Sequence, residues 1–434
     1  MFFLKIKNTG LSAINRLNYD LLDLNDFSEY KIRNNMSKFL LTKIFYRILI
    51  LTFLPAFLFS QTSYKVIHQN AIVADTHNDV LSTATMAGLN IENDLTGKTQ
   101  SDLARFKKGG VDIEMFSIFC DDRYGKGSAF KYANVEIDSL YAIAKRNPDK
   151  MEMVATLAQL NHALLHHKLA AMMGVEGGHM IEDDLDNLDS LFKRGVRYMT
   201  LTWNNSTSWA TSASDESRKE FTVSPYGLSD FGKKVVKRMN ELGMMVDISH
   251  VGEKTFWDAI NTTTKPVIAS HSSVYAICPV PRNLKDDQIK AVAKNGGVID
   301  INFFSGFIDS NYLKRRQVFF NRHKQEFDSL NAMKKQEYEV SDYMSKKYPQ
   351  ELAALRPPFS MVIDHIDYIV KLVGVDYVGL GSDFDGIDSA PLGLDGVQDF
   401  PKITQALLKK GYSVKDIDKI LGGNFLRVFK ANSK

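Results

Sequence analysis

Met244-Met245-Val246-Asp247-Ile248-Ser249-His250 and Pro266-Val267-Ile268-Ala269-Ser270-His271 are two apolar runs that finish alike, each in Ser-His. Buried strands read as near-continuous apolar runs, and two adjacent ones ending this way place two imidazoles side by side. Six further runs resemble them: Ala71–Thr76, Val111–Phe119, Ala170–Val175, Val196–Thr202, Gly297–Phe303 and Tyr377–Gly381. Most are separated by stretches of helical spacing, such as Leu228–Leu242, for which Gly243 makes a natural stop. Strand alternating with helix predicts a parallel sheet covered on both faces. Eight such units close into an α/β (β/α)8 TIM barrel.

The polar residues point the same way. His77 and Asp79, Glu176, His250, His271 and Asp383 each follow an apolar run closely. A TIM barrel gathers its chemistry at the C-terminal ends of its strands, whereas an open doubly wound sheet has no need of such residues on so many strand ends. The length of 434 residues suits two or three average domains, but also one barrel with insertions. Ser310–Arg356 breaks the rhythm. It is charged and helical in pattern, and predicts an insertion of about 310–356 after the seventh strand, over the mouth or on the flank.

Composition excludes more than it identifies. The net charge is +3, yet residues 1–60 hold eight Lys/Arg against four Asp/Glu, so the remainder is nearly neutral. No basic run offers an electrostatic footprint for nucleic acid. Lys38, Lys43 and Arg47 precede the apolar run Ile48–Phe59 and then Ser60-Gln61, the pattern of a secretory signal peptide over 36–60. The run is shorter than the ~20 residues of a membrane span. The expectation is export, periplasmic or secreted in a bacterium, with no stable span after cleavage. Met36 is a second candidate start, which would make 1–35 an upstream extension and 61–434 the mature barrel. Cys120 and Cys278 sit in apolar surroundings and read as buried free thiols.

The strand ends carry a metal chemistry. His77 and Asp79 are two apart on an extended strand and can reach one point together, a pairing that suits a divalent cation such as Zn²⁺. Taken alone, His-x-Asp is a weak signal. Glu176, in Gly174-Val175-Glu176-Gly177-Gly178-His179, is a carboxylate that can bridge two cations with its two oxygens. His179 itself reads as a supporting or surface residue. Asp383, in Gly381-Ser382-Asp383-Phe384-Asp385-Gly386, is placed to bond or deprotonate a bound water, and Asp385 reads as a residue that supports the site from behind or makes a turn.

Asp75-x-His77-Asn78-Asp79, Gly174-Val175-Glu176-Gly177-Gly178, the two Ser-His strand ends, Pro281-Arg282-Asn283 and Gly381-Ser382-Asp383-Phe384-Asp385-Gly386 together resemble the membrane (renal) dipeptidase family. The likeness runs in order from about Tyr64 to Phe429, interrupted by the insertion. It implies two Zn²⁺ ions per chain, one held by His77 and Asp79, the other by His250 and His271, with Glu176 between them. It also implies Asp383 as the acid/base, Arg282 as the reader of a substrate carboxylate, and a homodimer. Two such cations polarise a scissile carbonyl and activate water, and an Arg fork grips a carboxylate.

At two positions the chain departs from the pattern. Trp203 stands where the family carries a substrate-holding histidine, and Phe307 where it often carries a tyrosine. The Trp203 indole or the Asn204 amide is the candidate replacement donor. The expected activity is hydrolysis of short peptides with a free C-terminal carboxylate, D-residues at that end included. The alternatives are a related metal-dependent amidohydrolase acting on N-acyl amino acids or lactams, and a catalytically silent binding protein.

Overall fold

The computed structural model describes residues 63–434 apart from 87, 219, 221–225, 334 and 336. The expected signal peptide and upstream extension lie outside the described residues. Among those described, no helix is long and apolar enough to cross a membrane.

Among the described residues nine strands form one parallel sheet: β1 (Ala74–Asn78), β2 (Ile113–Phe119), β3 (Met151–Met153), β4 (Leu169–Glu176), β5 (Val196–Thr200), β6 (Met245–Asp247), β7 (Ile268–Ala269), β8 (Val298–Ile301) and β9 (Val378–Leu380). Eight pair in the order β1-β2-β4-β5-β6-β7-β8-β9, and the short β3 pairs only with β4, off that path. The ring closes where Asn78 bridges Phe384 in parallel, with Asp79 N donating to Phe384 O at 2.8 Å and Asp383 N to His77 O at 3.0 Å. The eight apolar runs are the eight barrel strands, and β3 is an addition to them.

Alternation along the strands separates two apolar layers. Ile113, Met115, Ala170, Met172, Tyr198 and Met245 pack with Phe425 and Phe429 of the C-terminal helix Asn424–Asn432. The other set, including Phe116, Ile118, Ala171, Met173, Val175 and Val246, packs against the surrounding helices. The predicted helix before β6 runs Asp230–Leu242. Ser229 caps it by accepting from Gly232 N, Val235, Val236 and Met239 face the core, and Gly243 ends it at φ 88°.

After β8 the insertion folds as four helices, Tyr312–Arg322, Lys324–Ala332, Glu337–Lys347 and Pro349–Ala353. Phe319, Phe320, Leu330, Val340 and Met344 give it a small core of its own.

Candidate active site

The strand ends bring six of the expected side chains to one point. His77 is the penultimate residue of β1, Asp79 lies just beyond the strand, and Glu176 is the last residue of β4. His250, His271 and Asp383 follow β6, β7 and β9. His77 Nε2 lies 3.3 Å from Asp79 Oδ2, 3.4 Å from Glu176 Oε2 and 3.9 Å from Asp383 Oδ1. Glu176 turns its other oxygen the opposite way: Oε1 is 2.9 Å from His250 Nε2 and 3.6 Å from His271 Nε2. The rings of His77 and His271 stand 3.8 Å apart, and those of His250 and His271 4.9 Å.

The neighbours decide which nitrogen each imidazole presents. Tyr198 donates its hydroxyl proton to Thr76 O, so it accepts from His77 Nδ1–H at 2.7 Å. Ser270 donates to Asp247 Oδ2 at 2.6 Å, so it accepts from His271 Nδ1–H at 2.8 Å. Asn204 Oδ1 accepts from His250 Nδ1–H at 3.1 Å. All three rings are therefore anchored through Nδ1 and turn Nε2 to the centre, the arrangement by which proteins fix metal-ligating histidines.

Two glycines make the approach possible. A Cβ at Gly174 would lie 2.0 Å from the Tyr198 ring, and one at Gly386 would lie 2.2 Å from Asp79 Oδ2.

Buried charge is costly unless it is matched. Burial opposes a proton on His77, but Tyr198, Asp79 and Glu176 outweigh it and raise its pKa well above the usual value. Burial drives His250 down to about 4 and, helped by the charge on His77, His271 well below its usual value. Burial, reinforced by Asp79 and Glu176, pushes the Asp383 carboxyl well above the carboxylate range. His77 Nε2, His271 Nε2 and Asp79 Oδ1 are buried with no hydrogen-bond partner among the described residues. His77, Glu176 and His271, and likewise His77, Asp79 and Asp383, converge within 4.8 Å. Three oriented imidazoles and three carboxylates, with ligand atoms left over, are the donor set that divalent zinc takes. The residues fit the metal.

Arg282 is nine-tenths buried beside this centre, its guanidinium 5.3 Å from the centroid of the Phe307 ring. Its Nη2 donates to His271 O at 3.3 Å, while Nε has no partner. Asn204, expected beside substrate, is exposed and holds the His250 ring through Oδ1. Trp203 packs on Phe119 with centroids 5.0 Å apart and lies over Gly177. His179 donates Nε2–H to Cys120 O at 2.9 Å, and Asp385 Oδ1 accepts Gln100 N in a left-handed turn at φ 67°.

The sequence reading missed two residues. Tyr198 resembles any core aromatic of a strand. Asn302, just past β8, donates Nδ2 to Asp383 Oδ2 at 2.7 Å. Asn302 lies inside the run Gly297–Phe303, one residue from its end, and a polar residue among apolar ones there is the signal that could have found it.

A profile of the membrane dipeptidase family, peptidase family M19, matches residues 61–434. Dipeptidase 3 of Mus musculus is 30% identical over 364 residues, 82% of this chain but only 64% of that protein's length. An uncharacterized dipeptidase of Schizosaccharomyces pombe is 29% identical over 395 residues, covering 86% of this chain and 83% of its own. Among solved structures, the probable dipeptidase PvdM of Pseudomonas aeruginosa superposes with a TM-score of 0.70 at 23% identity, over 86% of this chain and 98% of that one. A metallopeptidase of Rhodobacter sphaeroides, solved with a phosphinate mimic of L-Ala-D-Ala, gives 0.68 at 22%, over 84% and 100%. These two likenesses show the barrel. The profile match spans every strand end described above, and by it the chain belongs to the membrane dipeptidase family.

Proposed function

We propose that the protein is an exported, zinc-dependent dipeptidase that cleaves short peptides bearing a free C-terminal carboxylate. One observation carries the reading: Glu176 directs one oxygen to His77 and the other to His250 and His271. On this reading His77 and Asp79 hold one zinc ion, His250 and His271 a second, and Glu176 both. Bound there, the two cations supply Lewis acidity that polarises a scissile carbonyl and acidifies water.

The chain's own groups supply the rest. Asp383, steadied by Asn302, takes up a proton and returns it to the leaving amine. Arg282, charged and with donors to spare, grips the terminal carboxylate. Tyr198, Ser270 and Asn204 keep the three imidazoles aimed. The phosphinate mimic bound by the Rhodobacter sphaeroides metallopeptidase suggests that dipeptides ending in a D-residue belong in the substrate class. By likeness to its family the protein acts as a homodimer.

Elemental analysis of metal-loaded protein, with product release from a panel of L,L- and L,D-dipeptides, tests the reading. Two ions per chain and turnover are expected; one ion or none sinks the binuclear assignment. Trp203, packed against Phe119 at the rim, favours a second reading, hydrolysis of an N-acyl amino acid or lactam. Adding those compounds to the panel separates the two.

A further inference from the structure

The insertion grips the loop that leaves β9. From the helix Tyr312–Arg322, Arg316 Nη2 reaches Asp388 Oδ2 at 2.9 Å and Ser341 Oγ at 2.5 Å, and its guanidinium lies 4.9 Å from the Phe320 ring centroid. At the end of the insertion, Arg356 donates through Nε to Ala390 O at 2.6 Å, and through Nη2 to Pro391 O at 2.8 Å and Asp395 Oδ1 at 2.7 Å. Between the two grips, Ser305 N donates to Ser389 O at 2.8 Å.

Beneath these bonds the contact is not packed solid. A cavity of about 190 Å³ opens there, lined among others by Tyr312, Arg316, Phe320, Arg356 and Asp388. Ionic and hydrogen-bonded contacts cross from the insertion to the loop around this cavity. The same loop begins at Asp383, and a Cβ at Gly386 would lie 2.2 Å from Asp79 Oδ2 and 2.8 Å from Asp383 Oδ1. Gly386 therefore packs its bare Cα side against both carboxylates, and a shift of the loop would disturb them.

We infer that Arg316 and Arg356 are positioning residues through which the insertion holds the 383–391 loop, and so keeps Asp383 in place beside His77. The inference rests on the role proposed above for Asp383. Fused charges half-shielded from water hold better than exposed ones, and the Arg316 and Asp388 side chains are 14% and 24% exposed.

The test uses full-length, metal-loaded protein carrying Arg316→Ala, Arg316→Lys, Asp388→Asn or Arg356→Ala. Arg322→Ala serves as control, since its partner Glu351 lies within the insertion. Amide hydrogen exchange over residues 383–392 is followed by mass spectrometry, alongside kcat, KM and metal content. Faster exchange in that loop is expected, with kcat down roughly tenfold to a hundredfold, the scale of a small misplacement at a reacting centre. KM and metal content should stay near the parent values, Arg316→Lys should recover part of the loss, and the control should match the parent. Asp388→Asn, which keeps the side chain's shape, carries the test if Arg316→Ala does not fold. Unchanged loop exchange overturns the inference, and so does faster exchange with unchanged kcat. Asp383→Asn run in parallel tests the catalytic reading separately, because the exchange result does not depend on it.

Discussion

Replacing Arg282 by alanine isolates the recognition of the substrate's carboxylate from the chemistry at the metals. Burial lowers the guanidinium to about 10, with Asp383, Glu176 and Asp247 opposing the fall, so it stays charged at neutral pH. Of its donors, Nη2 makes a long bond to His271 O and Nε makes none. A charged donor in that state gains most when a carboxylate arrives. Its loss should cost about 1.5–3 kcal/mol in kcat/KM on free dipeptides, roughly ten- to a hundredfold.

Dipeptide amides lack the carboxylate, so they should be poor substrates of the parent enzyme and nearly indifferent to Arg282→Ala. Arg282→Lys should restore only part of the loss, because an ammonium keeps the charge but not the planar fork. Metal content must be measured in each variant, since the Arg282 charge also depresses His250 and His271. The assay is a cycle of two enzymes and two substrates. Equal losses on dipeptides and their amides would make Arg282 a support for Phe307 and His271 and send the search for the carboxylate reader elsewhere.

Asp383→Asn should retain metal while kcat drops by about two orders of magnitude, the scale of general acid/base loss; an unchanged kcat would remove Asp383 from the mechanism. Tyr198→Phe deletes the acceptor of His77 Nδ1–H and should weaken metal binding about 10- to 100-fold in chelator competition. Equal affinity in the two proteins would show that the ring needs no anchor. Metal uptake should also depend on pH with a definite sign. Tyr198, Asp79 and Glu176 raise the His77 pKa and so favour a proton on it in the metal-free protein, which a cation must displace. Apparent affinity should therefore rise about tenfold per pH unit while His77 is protonated and level off above its folded pKa; a flat profile below that point would contradict the assignment.

The barrel was legible because its strands are buried on both faces, which writes them as continuous apolar runs and leaves the polar rim residues conspicuous at their ends. All of the residues expected at the metals meet in the structure, although β1 reaches that geometry through a register shift between Asp75 and Asn78 that simple alternation does not foretell. β3 escaped because Met151–Met153 is three residues long, only partly buried and paired with a single neighbour. Tyr198 escaped because its meaning lies on another strand: without the bare Gly174 beside it, the ring has no room to reach His77. The sequence placed Asn204 beside substrate because it follows Trp203, whereas its bond to His250 depends on how the loop after β5 folds back. The basic character of the insertion was evident, but its partners Asp388 and Asp395 lie far along the chain and become neighbours only in the fold.

The site also shows where local preference yields to function. His250, Asp383 and Asp385 hold φ near +64°, +60° and +67°, a region that costs a non-glycine residue on the order of 1 kcal/mol or more. At His250 and Asp383 these bends turn the side chains toward the centre, while at Asp385 the bend turns the carboxylate to Gln100 N. Two buried carboxylates just below the rim hold the bends. Asp247 accepts from Ser249 N at 3.0 Å and Ser270 N at 2.9 Å with Oδ1, and from the Thr200 and Ser270 hydroxyls with Oδ2, lacing the ends of β5, β6 and β7 together. Asp75 accepts from both Ser382 N at 2.7 Å and Ser382 Oγ at 2.5 Å, lacing β1 to β9 beside Asp383. Each of these hydrogen bonds contributes about 0.5–1.5 kcal/mol, comparable to the strain of the backbone it fastens. The Asp two residues before His77 and the Asp three residues before His250 are thus part of the same device as the imidazoles, because a ligand on a strained turn keeps its aim only while the strand ends beneath it are tied.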